Sequence, residues 1–213
     1  MTSIPVPPPR IARLPRNHAG YPVPWFVATV DGTPDFRIVR PGGIKDAVRF
    51  ELCWLCGQRL GANAAFVLGP MCTINRVSPE PPSHRDCALY AARACPFLTT
   101  PHMRRRTTGL PGDIVDPDGE MIARNPGVVA VWVSRNWSPI PGHRLFDVGE
   151  AATVTWLAEG RAATRSEVLA AIESGMPILR GAAEKDPQSR QALQELGAQY
   201  AEAMRHVPAE VGQ

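Results

Sequence analysis

Apolar positions fall in short runs in the first two thirds of the chain and in helical stripes in the last third. Trp25-Phe26-Val27-Ala28-Thr29-Val30 and Phe36-Arg37-Ile38-Val39 flank Asp31-Gly32, a pair suited to the positive φ of a tight hairpin turn. Ile44 to Glu51 reads as one short helix. Ala64-Ala65-Phe66-Val67-Leu68 is an apolar run closed by Gly69-Pro70, and it reads as part of a hairpin whose loop is extended by Met71 to Glu80. Gly109 to Gly119, rich in Gly, Pro and Asp, reads as a loop. Val128 to Val133 has the continuous apolar character of a buried strand. A turn at Pro139 to Gly142 is expected to return Arg144 to Val148 beside it. Glu150 to Glu159 stays open between strand and helix. Thr164-Arg165-Ser166-Glu167 is a capping box opening a helix through Val168, Leu169 and Ile172, with its stop expected at Gly175. Pro177 to Ala183 reads as a short added helix. Asp186-Pro187 then opens a last helix with Leu193, Leu196, Tyr200, Met204 and Val207 on one face, a stripe that reads first as core packing.

The chain has 213 residues and is 44% hydrophobic, enough for a real core. It contains no run of 18 apolar residues, so no membrane span is expected. The start is Pro-rich and lacks an apolar signal segment, so an extended arm, packed on the surface or disordered, is expected there rather than a leader. Five cysteines, an odd number, argue against a secreted disulfide framework and for a reducing cytoplasm. The net charge of +3 is mild but uneven. Residues 84–106 carry five basic side chains and one acidic one; residues 107–158 carry three and six. Of the 23 basic residues only Lys45 and Lys185 are lysines. With abundant Ala and Pro, that skew is bacterial-like and is what a GC-rich coding sequence produces, so arginine content alone is no sign of nucleic-acid chemistry.

The sharpest chemistry lies between Cys53 and Cys87. Cys53-Trp54-Leu55-Cys56-Gly57 and His84-Arg85-Asp86-Cys87 are two ligand pairs, each with two residues between its members. A Cys-x-x-Cys turn converges two thiolates on one ion. If Ser83 caps a helix, His84 and Cys87 lie in its first turn on one face. Knuckle, hairpin and ligand-bearing helix together resemble the treble-clef zinc-binding fold group over residues 53–87. The resemblance implies one structural zinc held by Cys53, Cys56, His84 and Cys87, and it leaves function open, since treble clefs serve nucleases, RNA binders and protein adaptors. Cys72 is the alternative fourth ligand in place of His84. Cys95, eight residues beyond Cys87 along the same expected helix and so about 12 Å away along its axis, reads as a core thiol. A thioredoxin-like reading of Cys53–Cys56 lacks the long helix that should follow directly.

These elements predict an α+β chain: small antiparallel β elements around a treble-clef-like zinc module, followed by a C-terminal helical region. The expected segments are a Pro-rich arm (1–20), a hairpin plus zinc module (21–106), a loop and antiparallel strands (107–158) and C-terminal helices (159–213). The zinc-deaminase, H-E-x-x-H and G-x-S-x-G patterns are missing, and residues 60–72 contain no histidine to serve a ββα-metal nuclease. The expected function is a cytoplasmic zinc-stabilised binding protein. Nucleic acid is its expected partner, met with little sequence preference by a basic face of Arg76, Arg85, Arg93, Arg104, Arg105 and Arg106, with Trp54 available to stack on a base. Two other readings are carried along. One is an enzyme with a polar pocket beside the zinc, using Asn75, Arg76 and Glu80. The other is a protein-interaction adaptor using the C-terminal helices.

Overall fold

A computed structural model describes residues 4–110 and 124–210. The expected loop from Gly109 to Gly119 lies for the most part outside the described residues. In chain order the elements are α1 (Pro9–Ala12), β1 (Val27–Val30), β2 (Thr33–Val39), α2 (Gly43–Arg49), β3 (Ala64–Leu68), α3 (Pro70–Asn75), β4 (Val77–Ser78), α4 (Arg85–Ala94) and α5 (Pro96–Thr99). They continue with β5 (Val129–Ser134), β6 (Ser138–Pro139), β7 (Phe146–Asp147), β8 (Thr153–Ala158), β9 (Arg161–Ala162), α6 (Arg165–Lys185) and α7 (Ser189–Met204). The fold is α+β.

A four-stranded antiparallel sheet in the order β3-β5-β8-β9 organises these elements. All six residues of β5 are buried, which explains why this strand reads as an unbroken apolar run. Because side chains alternate, Ala130 and Trp132 join Phe66, Leu68 and Trp156 on one face, under α3, α6 and α7. Val129, Val131 and Val133 join Ala65 and Leu157 on the other, under Ala88 and Ala92 of α4. β1 and β2 form a separate hairpin turned by Asp31 and Gly32, both at positive φ. A small β4-β7-β6 sheet completes the set.

The structure corrects several local expectations. The run from Ala64 to Leu68 makes its ladder with β5, from Ala64↔Ser134 to Leu68↔Ala130. Its local return is a single bridge between Ala65 and Ser83, and the connection between them holds α3 and β4. The return of Arg144 to Val148 pairs with β4 and β6 instead of the strand beginning at Val129. The ambiguous Glu150–Glu159 stretch contains strand β8, whose residues Thr153 to Leu157 ladder to β5. Helix α6 runs through both Gly175 and Pro177. A Cβ on Gly175 would stand 2.7 Å from Met71 Cγ, so this glycine lets α3 and α6 approach instead of ending the helix. β3, β5 and β9 come from three of the expected segments, 21–106, 107–158 and 159–213, and share one sheet.

Candidate metal centre

Cys53 and Cys56 sit on a tight knuckle whose legs are paired by a Leu52–Arg59 bridge and by Leu60 N–H donating to Glu51 O at 2.7 Å. Gly57, at φ +70, turns the chain out of the knuckle. The second pair sits at the start of α4, where His84 occupies the N-cap position and makes no side-chain cap hydrogen bond. Ser83 is therefore not the cap. It is held in extended backbone by paired hydrogen bonds with Ala65 (2.7 and 2.8 Å), which fix His84 and Cys87 against the edge of the main sheet.

The Sγ atoms of Cys53, Cys56 and Cys87 and a ring nitrogen of His84 all lie within 4.8 Å of one another, and all four residues are buried. Together they can hold one metal ion. His84 Nε2 lies 3.0 Å from the Arg59 carbonyl, which only accepts, so Nε2 carries the proton. Nδ1 is then the free ligand atom, 3.4 Å from Cys56 Sγ and 4.0 Å from Cys87 Sγ. The Arg59 carbonyl orients the ring as an outer-shell group orients a ligating histidine. Cys53 Sγ accepts from the backbone N–H groups of Cys56 (3.4 Å) and His84 (3.3 Å). The neighbouring Cys56 and Cys87 thiols hold the Cys53 thiol far below its ordinary pKa, and Cys53 in turn pushes Cys56 and Cys87 above theirs. A cation is what would let all three ionise together.

The rest of the site is apolar. Ile11 of α1 is buried against Cys53, Cys56 and Cys87, with Leu14, Leu55, Leu60 and Tyr90 packed around them. The Pro-rich arm thus carries a structured turn that closes over the centre. The sequence gives no warning of it, because one Ile and one Leu among prolines carry no periodic signal. Trp54 is 2% exposed, stacked on Phe26 at 4.7 Å and in T-shaped contact with Trp25 at 6.4 Å, so it cannot stack on a base. Cys72, on α3, and Cys95, at the C-cap of α4, lie outside the cluster. Burial raises both thiols, which leaves neither an activated nucleophile.

No family model matches the chain, and no curated protein and no solved structure matches it.

The other candidate residues divide between the two faces of the main sheet. Arg85 and Arg93 are exposed on α4. Arg104, Arg105 and Arg106 are exposed on an irregular segment beyond the C-terminal end of the same helix. That segment is held at both ends, by an Arg104–Arg124 bridge and by Arg37 Nη1 donating to the carbonyls of Arg106 (3.4 Å) and Thr108 (2.9 Å). Arg37 is itself forked on Asp35, whose carboxyl it pulls below the usual range. Buried Asn125 anchors the preceding turn, its Nδ2 lying 2.8–3.1 Å from the carbonyls of Phe97, Leu98 and Thr100. Arg76, in contrast, ends α3 in the opposite layer, near His206. It does not belong to a face with Arg85 and Arg93.

Asn75 Oδ1 accepts from Val77 N–H, and Ser78 Oγ exchanges hydrogen bonds with the backbone of Glu80. These polar groups are therefore spent on their own loop. Glu80 remains exposed by accessible surface, yet surrounding chain desolvates it enough to raise its carboxyl, with Arg105 pulling the other way. Two shallow depressions lie along α6 and α7, one of about 430 Å³ between Met176 and Tyr200, and none of Asn75, Arg76 or Glu80 lines either. Among the described residues no helix is long and apolar enough to cross a membrane.

Proposed function

We propose that the protein is a zinc-stabilised nucleic-acid-associated protein whose metal is structural. A tetrahedral zinc with Zn–S near 2.3 Å and Zn–N near 2.0–2.1 Å places its ligand atoms about 3.6–3.8 Å apart. The 3.4 and 4.0 Å separations around His84 Nδ1 bracket that range. Three thiolates and one imidazole suit zinc, and four buried protein ligands leave no open position for a substrate. The treble-clef resemblance rests on the knuckle, the ligand-bearing helix and the Ala65–Ser83 return between them.

The observation that carries the nucleic-acid reading is the set of five exposed arginines on α4 and the segment beyond it. Among the described residues, Arg85, Arg93, Arg104 and Arg106 form no ion pair with a carboxylate, and the backbone bearing Arg104–Arg106 is pinned. Guanidinium forks match phosphate oxygens, and among the described residues no base-reading helix accompanies them, so affinity is electrostatic and weakly sequence-dependent. Titrating labelled single- and double-stranded oligonucleotides at two salt concentrations tests this. Binding that weakens steeply with salt and with Arg104, Arg105 and Arg106 changed to Ala is expected; no binding at low salt, or indifference to the triple change, refutes it.

A further inference from the structure

The arm over the metal centre has a second face. Ile11 and Leu14 point inward at the cysteines, while Arg10, Arg13 and Arg16, spaced by three, are exposed. Residues 1–30 contain no Asp or Glu at all, so the arm brings no neutralising charge of its own. It is fixed at several points. Arg10 Nη1 reaches Asp86 of α4 at 3.5 Å, with both side chains near half exposed. Val23 N–H donates to Pro15 O at 2.7 Å, and Trp25 N–H donates to Leu55 O of the knuckle at 2.8 Å. The Arg16 backbone forms a β-bridge with Pro22, while Arg16 Nη1 donates to Gly20 O at 2.7 Å and leaves its other guanidinium donors outward. Arg10 lies at Asp86 in the first turn of α4, and Leu14 packs with Tyr90 of the same helix around the cluster of Ile11 and the cysteines, so the arm lies alongside α4. Asp86 is the one carboxylate in α4, flanked there by Arg85 and Arg93.

We propose that Arg10, Arg13 and Arg16, held on the metal centre by Ile11 and Leu14, form with Arg85 a phosphate-binding strip along α4 that engages single-stranded nucleic acid. The strip rests on the nucleic-acid reading above and adds the arm to it. Arginine is suited to the task because its planar fork pairs two donors with phosphate oxygens and stays charged. Arg10 and Arg13 lie on the single turn of α1 and at its C-cap, and Arg16 lies beyond Pro15 in extended backbone. Such an irregular row follows a flexible single strand more readily than a rigid duplex, whose phosphates sit on a fixed helical path. Each phosphate left without its guanidinium takes about 0.7 off the slope of log affinity against log salt for a single strand.

The test is fluorescence anisotropy of a labelled single-stranded oligonucleotide with intact metal-loaded protein. Arg10, Arg13 and Arg16 are changed together to Gln in one variant and together to Lys in another. The Gln variant should bind at least about tenfold more weakly, with a salt slope shallower by about two, while the Lys variant keeps most of the affinity because the charge is retained. Metal content and thermal midpoint are measured on both. If the wild-type protein binds and the Gln variant binds equally well with the same salt slope, the strip is refuted while the Arg104–Arg106 face stands. If the Lys variant loses as much as the Gln variant, the arm acts through structure and the strip is also refuted. If the wild-type protein does not bind at low salt, the broader reading fails and the strip with it.

Discussion

Replacing Gly57 by Ala probes the packing that closes the knuckle. Gly57 sits at φ +70, and a Cβ placed there would lie 2.5 Å from Trp25 Cδ1 and 2.6 Å from Cγ. Trp25 has little room to retreat. Its backbone N–H is bonded to Leu55 O, the Arg40 guanidinium lies 4.2 Å over its ring, and Trp54 makes a T-shaped contact with it at 6.4 Å. A left-handed backbone costs a residue with Cβ about 1–2 kcal/mol. Overpacking a fixed ring adds about 1–3 kcal/mol. The sum, about 2–5 kcal/mol, is a large part of the roughly 5–15 kcal/mol that stabilises a typical domain. For a chain of this size it lowers the melting temperature by roughly 5–15 °C. Gly61, four residues on, is exposed, has no such φ and meets nothing within 4 Å, so Gly61→Ala is the matched control and should change little. Thermal unfolding followed by circular dichroism, with metal content measured in parallel, compares the two. If Gly57→Ala melts within about 2 °C of Gly61→Ala, the knuckle is not packed on Trp25 as described.

Two further outcomes follow from buried polar and titratable groups. Asn125→Ala removes the donor to the Phe97, Leu98 and Thr100 carbonyls and the acceptor for Gly127 N–H, and should destabilise the protein by about 2–4 kcal/mol in urea unfolding; a loss under about 0.5 kcal/mol contradicts the anchoring role. His206 packs its ring on Trp132 at 5.1 Å, and desolvation lowers its pKa below 6.5, helped by Arg76 and Arg205 and opposed by Glu202. The unfolded chain then takes up a proton near pH 6.5 that the fold resists, so this group's contribution is constant above that pH and destabilising as pH falls toward the folded value. His206→Gln should flatten the stability profile between pH 7 and about 5 relative to wild type; parallel profiles sink the assignment.

How much of this is legible in the sequence depends on whether the signal is local. The Thr164–Glu167 capping box and the Asp31–Gly32 turn are spelled by neighbouring residues and form as read. The four cysteine and histidine positions are readable because ligand spacing is itself a local constraint, and the structure brings all four together. What the sequence hides is non-local. Nothing near Leu68 says that its ladder partner is Ala130, and Phe146, although apolar, is claimed by Ser78 instead of by β5. Gly175 reads as a stop when only α6 is considered, and as a contact point once Met71 is beside it. Trp54 reads as a stacking platform because sequence does not show that Phe26 and Trp25 already cover it. The arm is hidden for the same reason: Ile11 matters only because the cysteines lie beneath it.

A closed metal centre is tested most directly by metal analysis of purified protein beside its cysteine variants. One zinc per chain is expected in the wild-type protein and in Cys72→Ala and Cys95→Ala, whose thiols lie outside the cluster. Cys53→Ser should lose the metal together with much of the thermal stability, because binding energy at such a site is largely folding energy. Wild-type protein without zinc, a Cys72→Ala variant that loses it, or a Cys53→Ser variant that melts as wild type would each contradict a structural centre built from Cys53, Cys56, His84 and Cys87.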